Sequence, residues 1–401
     1  MTVTIRRLEA GEDLAALNTF RAALLVPALG VGPYFTPWED GRAFVATSGA
    51  QIVGTAGQFS LQTTVPGGAR VPTAGVTRVG VRADHSGRGV GRRLMIELLH
   101  EARDRGDLLA NLRASEATIY GRYGYGVAGQ SGAFELLTSS ARFVHAVDDP
   151  GTIQLVHAED APGLLPDLHD RVGRSRPGAI DRPAWMWPRI FQPGEGEPGI
   201  WYGVHYRADG QPDGYATYCA IDRDRWLERG HKIDVLDLFA ADDVVAAALW
   251  KWLLRIPLVQ RVKAEDRPLD EPLRWLLADS RALRTTAIYD EQWLRLLDVE
   301  GALRARRWPP GLPPLVVDVH DHLIGSNSGR YVIQDGTTSR DDRAAPDLAV
   351  DVATLAATYL GGPSWAEMAA AGRVEVHRAG AVAAADHLFA VRPLPWSGTM
   401  F

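Results

Sequence analysis

The stretch VTRVGVRADHSGRGVGRRLM, residues 76–95, runs from a strand through a glycine-rich turn into a helix. The apolar alternation ends at Val81, and a short loop leads to Gly87, Gly89 and Gly91. Beyond the loop Val90, Leu94, Leu98 and Ala102 recur at helical spacing, and Gly106 ends the helix. Glycines at such a turn leave backbone N–H groups uncovered, and a helix N-terminus adds partial positive charge. Together they make a cradle for phosphate oxygens, with Arg88, Arg92 and Arg93 around it.

Three readings of this turn compete. A Walker loop needs Lys-Ser/Thr after its last glycine, whereas Arg92 and Arg93 follow Gly91, so that reading is discarded. A dinucleotide fingerprint fits loosely, with Glu116 after the next strand as a ribose-binding acid. Against it, several antiparallel-looking strands precede the turn, where a dinucleotide fold usually begins. The third reading is a tight turn with no ligand.

Outward from this turn, TVTIRRL alternates as a strand and EDLAALNTFRAALL reads as an amphipathic helix. Strands over AFVATSGAQIVGTAGQFSLQTTV and VPTAGVTRVGV flank the turn PGGAR, and DLLANLRAS is the strand after the glycine-led helix. Near residue 150 a second region repeats this sense: strand TIQLVHA, a helix, strands GIWYGVHYR and GYATYCAI, then helix ADDVVAAALWKWLLRI. Nothing like GRGVGR precedes that second long helix. A third region, opening with YDEQWLRLLDVEGALRARRW, carries strands PLVVDVHDHLIG and GRYVIQDG and two Ala-rich helices.

A chain of 401 residues is too long for one ordinary core, and its composition is that of a globular protein. With 43 Lys+Arg against 49 Asp+Glu the formal charge is −6, which argues against nucleic acid as a partner and mildly favours cationic ones. Cys219 is the single cysteine, so no disulfide framework forms within the chain. Charges interrupt every apolar run of MTVTIRRLEAGEDLAAL, and no stretch approaches the roughly 20 apolar residues that span a bilayer. A cytoplasmic chain without a membrane partner is expected.

The segment VGVRADHSGRGVGRRLM resembles the pyrophosphate-binding signature of the GNAT N-acetyltransferases, Arg/Gln-x-x-Gly-x-Gly/Ala. Gly89 and Gly91 match the small positions, and Ser86 stands where Arg or Gln is usual. A second segment, ASEATIYGRYGYG (114–126), is similar to a stretch of the Eis (enhanced intracellular survival) acetyltransferases, with Tyr123 in place of Phe. QWLRLLDVEGALRARRW looks like the opening of that family's sterol-carrier-protein-like domain, and the length and the terminal Phe agree.

The resemblance implies an α+β chain of two tandem GNAT-like acetyltransferase domains, 1–148 and 149–288, the second degenerate, and a sterol-carrier-protein-like α/β domain, 289–401. It implies an acetyl-CoA-dependent N-acetyltransferase acting on primary amines of aminoglycoside-like polyamines or lysine side chains, without a metal, as a homohexamer. Carried over, Val79, Gly80 and Val81 line the pantetheine, and backbone donors there polarise the thioester carbonyl. Gly87, Arg88, Gly89, Val90, Gly91 and Arg92 take the phosphates, and Ser115 and Glu116 sit near the thioester. Tyr120 is the general acid for the departing thiolate; unperturbed Tyr and thiol pKa values of about 10 and 8.5 make that transfer nearly balanced. Phe401, ending PLPWSGTMF, supplies its terminal carboxylate as general base. Alternatives from other classes are a non-catalytic acyl-CoA or lipid-binding protein and a nicotinamide-linked enzyme.

DVHDH places Asp318, His320 and His322 on one strand face, a spacing able to ligate a metal, though a solvated face is the simpler account. There is no Gly-x-Ser-x-Gly elbow. Phe35, Trp38 and Glu39 form an aromatic, acidic loop suited either to a cationic acceptor or to plain packing.

Overall fold

A computed structural model of the chain describes residues 3–26, 38–191, 199–221 and 230–401. Phe35, in the aromatic loop, lies outside them. The first region comprises β1 (Val3–Arg7), α1 (Asp13–Leu24), β2 (Ala43–Ser48), β3 (Gln51–Thr64), β4 (Arg70–Val81), α2 (Val90–Asp104), β5 (Leu109–Leu112), α3 (Ala117–Tyr120) and β6 (Gly126–Leu137). Strands β1 to β4 are antiparallel neighbours, and β5 lies parallel to β4 across the α2 crossover. Helix α2 buries Val90, Leu94, Met95, Leu98, Leu99 and Ala102 against Phe44, Ala46, Val53, Ala56 and Val76 of the sheet. Each large aliphatic side chain so buried contributes roughly 1.5–3 kcal/mol.

The second region comprises β7 (Thr152–Val156), α4 (Ala161–Val172), α5 (Trp187–Phe191), β8 (Ile200–Tyr206), β9 (Pro212–Ala220), β10 (His231–Ala240), α6 (Asp243–Leu253), β11 (Val259–Pro268), α7 (Leu273–Leu276) and β12 (Leu283–Leu296). It repeats the plan: β7 to β10 are antiparallel neighbours and β11 lies parallel to β10. In the sequence this region's strands are legible only as far as β9. β11 is hidden from an apolar count because Arg261, Lys263, Glu265 and Arg267 alternate with buried Val262 and Ala264.

The third region comprises α8 (Val299–Ala305), β13 (Leu315–His320), β14 (Gly329–Gln334), β15 (Thr337–Arg340), β16 (Leu348–Asp351), α9 (Val352–Tyr359), α10 (Trp365–Ala370), β17 (Glu375–Val376) and α11 (Ala381–Phe389). Its sheet has the order β15-β14-β13-β16-β17. Contacts divide the chain into two units. One is Met1–Gly129 with Gln292–Pro395 and Phe401; the other is Gln130–Glu291 with Trp396–Met400.

β13 stops at His320, so His322 is not on the strand and DVHDH does not present one ligating face. Asp318 instead meets Arg330 at 3.2 Å, and Asp321 turns inward onto Arg295 at 2.5 Å, both ends fully buried. Asp321 also accepts from the amides of Leu323 and Ile324 and from Asn327 Nδ2, which satisfies a carboxylate that burial would otherwise penalise. Among the described residues no group of three or more His, Cys, Asp or Glu is arranged to hold a metal ion.

Candidate active site

The parallel register of β4 and β5 runs from Thr73–Leu109 to Gly75–Asn111. β5 ends one residue later, at Leu112, while β4 continues along β3 to Val81. The two strands therefore part after Gly75. Within the parting segment β4 carries a bulge: Thr55 faces Gly80 and Gly57 faces Thr77, so Arg78 and Val79 oppose Ala56 together. Arg78 adopts φ +51°, unusual for a side-chain-bearing residue, and its carbonyl accepts from Thr55 Oγ1 at 2.8 Å. Its guanidinium lies over the Trp38 and Phe59 rings, 5.6 and 5.1 Å from their centroids. Nothing in the sequence announced this bulge.

Val79 and Val81 are half-buried against the α2-side core, and Gly80 is buried. A Cβ on Gly80 would come 2.9 Å from Ala23 Cβ of α1, so the missing side chain lets the helix close on the strand. At the end of β4 the glycine turn opens α2. Gly87 and Gly89 both sit at φ +74°, and a Cβ on either would meet nothing within 4 Å. Gly89 is the N-cap and brings no side-chain acceptor to the first amides of the helix. Val90 is buried, while Arg88 and Arg92 are exposed beside the turn. An open, uncapped helix N-terminus at the mouth of parted strands fits a chain of phosphates leading into an extended amide chain.

Tyr120 ends α3 and is buried, packed 6.1 Å edge-on from Tyr125 and 6.4 Å from Trp293 in the cluster that holds Ala74, Val76 and Leu112. Burial pushes its phenol above the ordinary range, a hydrogen bond with Ser115 pulls the other way, and the nearby Glu116 charge adds to the rise. Ser115 and Glu116 themselves are exposed on the segment after β5. Tyr125 is fully buried, and burial pushes its phenol well above the ordinary range, with the nearby Arg295 opposing. Gly124 (φ +84°) and Gly126 have structural reasons: an added Cβ on Gly126 would overlap the Ala353 carbonyl of α9 at 2.1 Å.

Phe401 is half-buried, and its Cε2 would lie 3.1 Å from a Cβ built on Gly75. The terminal ring thus rests where β4 and β5 part, while the preceding Met400 is exposed. Trp38 is buried against Gly57, and Glu39 accepts from both the amide and the hydroxyl of Ser60. Loop packing accounts for both residues.

Residues 4–128 match an acetyltransferase (GNAT) domain family, residues 178–296 a second such family, and residues 299–398 the sterol carrier protein domain family. An uncharacterized N-acetyltransferase of Streptomyces avermitilis is 35% identical over 367 residues, 89% of each chain. N-acetyltransferase Eis of Mycobacterium tuberculosis is 33% identical over 353 residues, covering 84% of this chain and 83% of that one. Eis1 of Mycobacterium abscessus superposes over 100% of both chains with a TM-score of 0.91 at 35% identity. The chain belongs to the Eis family of GNAT N-acetyltransferases.

As an Eis-family enzyme it is an N-acetyltransferase with acetyl-CoA as co-substrate, built of two GNAT domains and a sterol-carrier-like domain. Its two GNAT domains differ at the phosphate end. In the second, the equivalent helix α6 is capped by Asp242, whose Oδ1 accepts from the amides of Val244 and Val245 at 2.9 Å each. A carboxylate therefore holds the amides that a pyrophosphate would need. The antiparallel strands ahead of the first glycine turn likewise leave the dinucleotide reading without its parallel sheet.

Proposed function

We propose that the chain transfers acetyl from acetyl-CoA to a primary amine of an aminoglycoside-like polyamine or a lysine side chain, at a site in the first GNAT domain. The observation that carries this reading is the parted β4–β5 pair leading to an uncapped α2 N-terminus. Backbone groups of Val79, Gly80 and Val81 line the pantetheine, and the turn from Gly87 to Arg92 takes the phosphates. The co-substrate supplies the acetyl group as an activated thioester.

Tyr120 is the general acid. Its buried phenol keeps its proton through the neutral range and beyond, which an acid awaiting a thiolate requires. The carboxylate of Phe401 is the general base, and the ring seated on Gly75 supports that role because it brings the chain end to the parted strands. Ser115 orients Tyr120 through their hydrogen bond, and Glu116 adds negative charge beside it, favourable to a cationic acceptor. A second reading, a non-catalytic acyl-CoA or lipid carrier, accounts for the parted strands and the open helix N-terminus but gives the Tyr120 hydroxyl no role beyond packing.

The family resemblance supports a homohexamer and domain limits near 148 and 288, and the single cysteine supports a cytoplasmic location. Release of CoA from acetyl-CoA, measured with and without a polyamine or aminoglycoside, tests the reaction. Amine-dependent release is expected; acetyl-CoA binding with no release for any amine would favour the carrier reading.

A further inference from the structure

In the second unit the parallel pair β10–β11 opens as β4–β5 does. Its register runs from His231–Val259 to Val235–Ala264, after which β10 continues along β9 and β11 along β6. The chain's own C-terminal segment lies in this opening. Trp396 Nε1 donates to the carbonyl of Asp266 on β11 at 2.6 Å, and the indole lies 5.2 Å from Phe239 of β10. Arg267 of β11 donates to the Leu238 carbonyl of β10 at 3.1 Å, and its guanidinium covers the Trp396 ring at 5.0 Å. A backbone acceptor that a pantetheine amide would need is thus already used, as the α6 N-terminus is by Asp242.

The next residues are held by charge. The amides of Ser397 and Gly398 both donate to the buried Glu291 carboxylate at 3.0 Å. Arg182 donates to the Gly398 carbonyl at 2.8 Å and to Thr399 Oγ1 at 3.2 Å, while Asp237 holds Arg182 in a fork at 2.6 and 2.9 Å. Gly398 sits at φ +61°, and a Cβ there would meet Trp396 at 2.6 Å and Phe239 at 2.9 Å. Charge-assisted hydrogen bonds to two successive amides and the following carbonyl fix the direction of a backbone, not merely its place.

We propose that the second GNAT domain has exchanged its acyl-CoA cleft for a seat for the chain's own C-terminus, with Glu291 and Arg182 as positioning residues for the terminal carboxylate. The positioning half of this rests on the reading of Phe401 as general base; the seat does not. Glu291→Gln turns one acceptor oxygen into a donor facing an amide, so one of the two bonds is lost and the other remains. Gly398→Ala displaces the segment from the tail side and leaves Glu291 and Arg182 intact.

The test measures two quantities on the full chain, with circular dichroism checking that each variant folds. The first is the rate at which carboxypeptidase A releases Phe401. Both variants are expected to release it at least tenfold faster than the parent; equal rates would overturn the seat. The second is steady-state kinetics in the presence and absence of Phe401. With Phe401 present, each variant is expected to lose about tenfold to a hundredfold in kcat with an unchanged KM for acetyl-CoA. Without Phe401, neither is expected to lower kcat further, because the group they position is gone. Losses that multiply with that deletion, or faster release with kcat intact, would overturn the positioning role. If removing Phe401 alone leaves kcat unchanged, the carboxylate reading fails and takes positioning with it, while the release rates still decide the seat.

Discussion

Phe401 rests its ring on Gly75, the last residue of β4 that pairs in parallel with β5. Gly75 has no Cβ to spare: one built there would meet Leu61 Cδ1 at 2.4 Å as well as the Phe401 ring. Gly75→Ala is therefore expected to displace both side chains. A shift of about 1 Å in a reacting group costs up to about a hundredfold in rate. Steady-state kinetics should show kcat reduced about tenfold or more, with the KM for acetyl-CoA much less affected.

Tyr120→Phe removes the phenol and little volume from a buried site. Loss of a general acid typically costs about 10²–10⁴-fold, so kcat should fall by at least about a hundredfold while acetyl-CoA binding is kept. The pH profile carries a second check. If Tyr120 is the general acid it acts only when protonated, and burial raises its pKa above the ordinary phenol value of about 10. No alkaline fall in kcat below about pH 10 should therefore be traceable to this residue.

The two helix N-termini should respond oppositely. Gly87→Asp adds a carboxylate in open space at the uncapped turn, and Asp tolerates the positive φ there. Its KM for acetyl-CoA should rise about tenfold or more with little change in melting temperature. Asp242→Ala removes a cap, so it should cost about 1 kcal/mol of stability and leave that KM unmoved.

Asp234 on β10 is a carboxyl that burial, then the nearby Glu265 charge, raises to about 6, with Lys263 opposing. In the unfolded chain its pKa is about 3.9. Well below pH 4 the group is protonated in both states and costs nothing. Between pH 4 and 6 the folded state holds the proton more tightly, so stability falls as pH rises, and above pH 6 the cost is complete. Allowing for partial exposure, Asp234→Asn should stabilise by up to about 2 kcal/mol at pH 8 and by nearly nothing at pH 3. Thermal melts at the two pH values check this.

What the sequence disclosed is what adjacent residues encode. The glycines at 87 and 89, the apolar stripe of α2 and the Ala-Asp-Asp start of α6 are each written within a dozen residues. The Arg78 bulge is not, because it depends on Thr55 and Ala56 of the facing strand. β11 alternates charges with small apolar residues and looks like a polar loop until its neighbours are known. The fate of the second opening was also illegible. Trp396 reaches Asp266 across 130 residues, and Glu291 reaches Ser397 across 106. Nor does DVHDH by itself show that the strand stops at His320 and the chain turns inward at Asp321, which pairs with Arg295, 26 residues earlier.

The most direct measurement compares CoA release from acetyl-CoA, driven by a polyamine or aminoglycoside, for the intact chain and for one lacking only Phe401. If the first GNAT domain uses the terminal carboxylate as its base, the deletion should lower kcat by about 10²–10⁴-fold while acetyl-CoA still binds. Equal turnover by the two proteins would contradict the account and leave the Phe401 ring on Gly75 as packing alone.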